Sequence, residues 1–98
     1  IVVAAGIAIE IKGLLIGQSA EPATEAALRH FLEQRAEVEK VFRLLTLQLG
    51  GSLMVSVKAR MRGGSAAELV AAINRTEAAL RAAFPEVQWL FFEPDVAD

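Results

Sequence analysis

The sequence predicts an α+β domain, an open-faced sandwich of ferredoxin-like type in which two helices cover one face of a three-stranded sheet. Three observations predict it. Leu53, Val55, Val57, Ala59 and Met61 alternate with Met54, Ser56, Lys58, Arg60 and Arg62, the period of a strand with one apolar and one polar face. Gly50-Gly51 separates that strand from another apolar run, as a two-residue hairpin turn does. Stretches with helical spacing flank the hairpin on both sides, and a short aromatic run follows the second. The order is helix, strand, strand, helix, strand.

Glu21-Pro22 starts the first helix, because proline in the first turn loses no hydrogen bond the helix needs. Ala27, Leu28, Phe31 and Leu32 then fall on one face, with Glu25, Arg29, Glu33 and Arg35 on the other, and the helix is expected to end near Ala36 or Glu37. Val41 to Leu49 is the first hairpin strand. After Gly63-Gly64, Ser65-Ala66-Ala67-Glu68 fits a capping box, and Leu69, Ile73, Leu80 and Phe84 mark the second helical stripe. Pro85 stops that helix. Val87 to Glu93, ended by Pro94, is the third strand.

Ninety-eight residues make one domain, too few for two independent cores. Ten Lys and Arg against twelve Asp and Glu leave a net charge of −2, which provides no general field for nucleic acid. Cysteine is absent, so disulfide scaffolds, thiolate metal sites and cysteine nucleophiles are excluded. Hydrophobic residues make up 54 % of the chain, and much of the excess lies at the front, where Ile1 to Ile9 is uninterrupted. A membrane-spanning helix needs roughly 20 apolar residues. The run is too short for that, and it lacks the basic n-region and cleavage site of a signal peptide. We expect residues 1–16 to be the truncated inner end of a longer apolar helix and residues 17–98 to be the folded domain. The alternative is a buried first element of a free-standing domain.

Pairing and alternation put Ser56 and Lys58 on the open face of the sheet, and we expect Phe42, Leu44, Leu90 and Phe92 beside them. The last strand is the least determined, because both of its faces are apolar. Such a face is costly in water, at roughly 1.5–3 kcal/mol for each large apolar side chain. A second copy of the domain is therefore expected to cover it, in a two-fold homodimer. Residues 1–16 folding back over the sheet are the alternative cover.

Little chemistry can be assembled. His30, Glu33 and Glu37 have spacing that can place three ligands on one helix face, and Asp95 sits in an acidic cluster with Glu93 and Asp98. Both patterns also describe solvated surface, so His30, Glu33 and Asp95 are the places to look for metal rather than an assigned site. One histidine and no tyrosine leave no catalytic constellation to build, and no phosphate-binding glycine loop is present. An acylphosphatase-like enzyme would need such an anion-cradling loop. Lys58, Arg60 and Arg62 form a basic stripe without the interleaved aromatics of an RNA-binding sheet. No enzyme, bound cofactor or nucleic-acid partner is expected.

Four segments carry a family resemblance: Leu14 to Gly17 with Ser19 to Pro22, Val41 to Met61 through Gly50, Ile73-Asn74 with Glu77 and Leu80-Arg81, and Glu93-Pro94-Asp95. In order and spacing they resemble the C-terminal end of a cation diffusion facilitator, a membrane transporter that exchanges divalent metal for protons. The resemblance implies a cytoplasmic regulatory and dimerisation domain at the inner face of the cell membrane, with residues 1–16 ending the last transmembrane helix. Zinc, the family's most frequent substrate, would be carried by the missing membrane part. Zinc-sensing relatives place ligands at positions that match Phe42, Lys58 and Phe92, with an aspartate near Pro94 or Asp95. Phe42, Lys58 and Phe92 cannot bind metal, so the family's intersubunit zinc site is expected to be absent. A free-standing small-molecule-sensing or interaction module of the same fold is the alternative.

Overall fold

The computed structural model describes residues 18–97. The expected end of a transmembrane helix at residues 1–16 and the acidic Asp98 lie outside them. The elements follow the expected order: α1 (Pro22–Glu33), β1 (Val38–Leu49), β2 (Ser52–Met61), α2 (Ala66–Ala83) and β3 (Val87–Pro94). The sheet order is β1-β2-β3, with β1 antiparallel and β3 parallel to the central β2. Both helices pack on one face, which makes the α+β open-faced sandwich.

Helix α1 begins with Pro22 at its first position and ends at Glu33, where the Gln34 N–H donates to the His30 carbonyl. It stops short of Ala36, so Glu37 belongs to the turn into β1. Leu28 and Leu32 are fully buried, and Phe31 packs beside them. Helix α2 opens on the capping box. Ser65 Oγ accepts from the Glu68 N–H at 3.1 Å, and Glu68 Oε2 accepts from the Gly64 N–H at 3.1 Å. Its buried stripe is Ala72, Thr76 and Leu80, with Leu69 and Ile73 at the margin. Small residues there let the helix lie close to the sheet. Phe84 meets Phe31 edge to face, centroids 5.8 Å apart, and closes the core between the helix ends.

The hairpin turn has Gly50 at φ +62°, a left-handed conformation that costs glycine nothing. A two-residue turn pairs Leu49 with Ser52, and the ladder then fixes Gln48 opposite Leu53, Thr46 opposite Val55 and Leu44 opposite Val57. Cross-strand partners share a face. Because Leu53, Val55, Val57 and Ala59 all lie under the helices, Leu44 does too, and it is buried there. The expectation that Leu44 faces outward is therefore corrected.

Strand β1 has 12 residues against 10 in β2, and the register shifts twice, between Val38 and Lys40 and between Val41 and Arg43. These are β-bulges. They stretch the spacing of buried positions to Val38, Val41, Leu44 and Thr46. The second bulge carries Phe42 to the open face, where strict alternation from Leu44 would have buried it.

Strand β3 has a bulge at Gln88, so Val87 pairs with Leu53 and Trp89 with Met54. Leu90 then lies beside Val55 and Phe92 beside Val57, both on the helix face. Leu90 and Phe92 are thus also corrected. Parity could not be read in a strand apolar on both sides, and it is the core that takes Leu90 and Phe92.

Candidate functional site

The open sheet face is the feature most open to a partner. Its side chains fall in rows across the three strands. Past the Leu49–Ser52 pair at the turn, Leu47, Met54 and Trp89 are register partners, followed by Leu45, Ser56 and Phe91. Leu45 and Phe91 are each 56 % exposed and Trp89 40 %. The next row is Arg43, Lys58 and Glu93, and the last pairs Lys40 with Arg60, with Asp95 just past the end of β3. One half of the face is apolar and the other charged.

The charged half is held by its own contacts. Lys58 Nζ lies 3.5 Å from Asp95 Oδ2. The Arg60 guanidinium donates to the Val96 carbonyl and stands 4.0 Å from Glu39. Two cations lie over the Phe42 ring, Lys40 Nζ 5.7 Å and the Arg60 guanidinium carbon 5.6 Å from its centroid. Asp95 N–H donates to the Ala59 carbonyl at 2.9 Å, which extends the sheet by one bond beyond Pro94. The Val96 N–H on the Asp95 carboxylate holds its pKa below the ordinary value, with smaller contributions from the Ala97 N–H and Lys58.

Of the residues expected at the interface, the structure brings Phe42, Ser56 and Lys58 onto one face. Leu44, Leu90 and Phe92 lie on the other. Sequence reasoning missed Leu45, Leu47, Trp89 and Phe91. For Leu45 and Leu47 the signal was the pairing rule of a two-residue turn, which fixes the parity of β1 from that of β2; for Trp89 and Phe91, in a strand apolar on both sides, no such signal exists.

The metal candidates do not converge. His30 and Glu33 are exposed on α1, whereas Asp95 sits at the far end of β2 beside Lys58. Glu37 is not on that helix face at all. Arg35 grips its carboxylate at 3.1 and 2.9 Å, and Arg75 Nε reaches it from α2 at 3.3 Å. Burial pushes the Glu37 carboxyl up, but its own backbone N–H and the two guanidinium groups outweigh that and leave it below its ordinary value. Among the described residues, no group of three or more histidine or carboxylate side chains is placed to hold a metal ion.

A surface cleft of about 460 Å³ lies between the end of β2 and α2, lined by Glu37, Arg62, Glu68 and Arg75 among others. Its charged groups are engaged with the protein itself. Arg62 donates to the Ala36 and Val38 carbonyls at 2.7 and 3.0 Å, Glu68 caps Gly64, and Glu37 and Arg75 hold one another. The cleft is built as a structural clamp on the turn before β1.

The chain enters the domain along the free edge of β1. Gln18 and Gln48 exchange both backbone hydrogen bonds. Two residues on, the Ala20 N–H donates to Thr46 Oγ1 at 2.9 Å, and the Thr46 hydroxyl donates to Glu25 Oε1 at 2.7 Å. Gln18 and Ala20 are thus tied to the strand that carries Leu45 and Leu47. Among the described residues, no helix is long and apolar enough to cross a membrane. Comparison with protein-family models gave no match, and no curated protein matches the chain.

Proposed function

We propose that this chain is the cytoplasmic regulatory and dimerisation domain of a divalent-cation efflux transporter, a metal/proton antiporter with zinc as the first substrate to test. The observation that carries this reading is a sheet face that no element among the described residues covers, apolar beside the hairpin, in a domain of helix-strand-strand-helix-strand order. Exposed apolar patches of this kind are characteristic of interfaces. The entry of the chain at Gln18, tied to β1, suits a domain that must transmit its state to a preceding segment. Transport belongs to the membrane part; the domain contributes the contact between subunits and catalyses nothing.

The dimer contact in this reading is metal-independent. Phe42 and Lys58 share the open face, but neither can ligate a metal, and the Lys58 ammonium repels a cation. Phe92 is on the opposite side of the sheet.

Sedimentation equilibrium of the 98-residue chain, with added zinc and separately with a chelator, tests this. A dimer indifferent to both is expected. Dimerisation that appears only with zinc would overturn metal independence, and a monomer at every concentration would overturn the dimer itself. The transporter part is checked separately in the reading frame upstream of Ile1. It should encode further hydrophobic spans with intramembrane Asp and His, since ionisable groups at that depth are functional.

A further inference from the structure

The distribution of charge on the open face specifies how a second copy would sit on it. In the row Arg43, Lys58, Glu93, the β1 edge is cationic and the β3 edge anionic. The next row, about Arg60, has Lys40 with Glu39 on β1 and Asp95 after β3. Apolar rows fill the rest of the face. Two sheets stacked face to face about a two-fold axis can be arranged in two ways. An axis across the strands reverses the order of rows. It lays charged rows over Leu45 and Trp89, or leaves the charged half outside the contact. An axis parallel to the strands keeps every row on itself and exchanges β1 with β3.

We propose that two copies of this chain dock sheet to sheet about a two-fold axis parallel to β2, so that Arg43 of each protomer pairs with the partner's Glu93. Leu47 then meets the partner's Trp89, and Leu45 the partner's Phe91, so apolar rows cover apolar rows. Met54, Ser56, Lys58 and Arg60 lie along the axis, each facing its own copy. Lys58 and Arg60 against the partner's Lys58 and Arg60 are the like-charged contacts, and Asp95, 3.5 Å from Lys58, and Glu39, 4.0 Å from Arg60, supply the neutralising charges within the same chain. Stacked sheets keep their strands within about 30° of each other, so the arrangement fits ordinary face-to-face packing. Arg43 and Glu93 are both exposed at the rim, where opposite charges set register and exclude other orientations. The inference rests on the domain being a dimer, but not on which protein the domain serves.

The symmetry makes a specific test. In Arg43→Glu, both rim contacts become Glu against Glu; in Glu93→Arg, both become Arg against Arg. Each variant alone should dimerise at least about tenfold more weakly than the parent at low salt, and the deficit should shrink near 1 M salt as screening tightens. An equimolar mixture of the two variants forms a heterodimer in which both contacts again pair opposite charges. Its affinity should return to within about threefold of the parent, a difference well inside the tenfold loss. Only contacts between subunits can be rescued by mixing, and rescue also shows that both variants are folded. If the parent chain dimerises and the variants match it, or if mixing fails to rescue, the axis is wrong although the dimer stands. If the parent is monomeric throughout, the dimer reading fails with it.

Discussion

Thr46→Val removes one hydroxyl and almost no volume, yet it should be among the most damaging single changes in the domain. The Thr46 oxygen accepts from the Ala20 N–H at 2.9 Å and donates to the Glu25 carboxylate at 2.7 Å. Ala20 is 5 % exposed, so without that oxygen its N–H is left buried with no acceptor, at a cost of about 1–3 kcal/mol. The hydrogen bond to Glu25 is charge-assisted, but Glu25 is only half-buried and water replaces part of it, leaving a loss nearer 1 kcal/mol. The added methyl group returns less than about 1 kcal/mol of apolar burial. The net loss is about 2–3 kcal/mol, against a total of roughly 4–12 kcal/mol for a domain of this size. Thr76→Val is the internal control. Thr76 is more completely buried, but its hydroxyl only donates to the Ala72 carbonyl within α2 at 2.8 Å, an oxygen the helix already satisfies. Its loss should cost less than about 1 kcal/mol. Urea unfolding followed by circular dichroism, at one protein concentration, reads both. With a slope near 1 kcal/mol per molar urea, Thr46→Val should lower the midpoint by about 2 M and Thr76→Val by well under 1 M. Equal shifts for the two variants would refute the reasoning, because burial of the hydroxyl, rather than what it bonds to, would then set the cost.

Leu44 and Trp89 should separate folding from association. Leu44→Ala is expected to cost about 2–4 kcal/mol of stability, whereas Trp89→Lys should leave unfolding of the monomer within about 0.5 kcal/mol and abolish dimerisation in sedimentation. The Glu37 carboxyl has a folded pKa below its ordinary value of 4.5, so its contribution is present above that pH and is lost as pH falls through the folded pKa. Thermal unfolding from pH 7 to pH 3 should therefore fall less steeply for Glu37→Gln, which starts about 1 kcal/mol lower; parallel curves would contradict this. Gly63 is held at φ +145°, so Gly63→Ala should cost about 1–3 kcal/mol by unfolding, while Gly64→Ala, which meets nothing within 4 Å and keeps a negative φ, should be close to neutral.

Element order and type were legible because each rests on a local signal that agrees with the global fold. Pro22 and Ser65 start helices, Gly50 turns the hairpin, and β2 alternates because one of its faces is covered and the other is not. The end of α1 was less legible. Glu33, Gln34 and Arg35 all tolerate a helix, and what stops it is tertiary. Arg35 folds back onto Glu37, and Arg75 on α2 and Arg62 after β2 hold the turn. Arg35 and Glu37 are two residues apart, but Arg62 and Arg75, which hold the turn, are far from it in sequence.

Face assignment shows the limit most clearly, because parity is a two-valued property and every bulge inverts it. Between Leu44 and the hairpin the ladder is regular, so the outward position of Leu45 and Leu47 follows from a two-residue turn and the buried alternation of β2. That much was available from Gly50-Gly51. Upstream of Leu44 no local residue announces the bulges: Glu39, Phe42 and Arg43 contain neither glycine nor proline. Their cause lies across the sheet, where Val38 and Val41 must both reach the core under α1 while Phe42 finds its place beside Lys40 and Arg60. Two bulges in β1 restore the original parity, so both ends of the strand present apolar side chains to the helices although the middle does not alternate. The same inversion moves a phenylalanine out of the core and into the charged half of the open face. There its ring serves as a platform for two cations instead of adding to the apolar patch. The division of the face into an apolar half and a charged half, on which the orientation of a second copy depends, is thus made by backbone irregularity as much as by composition.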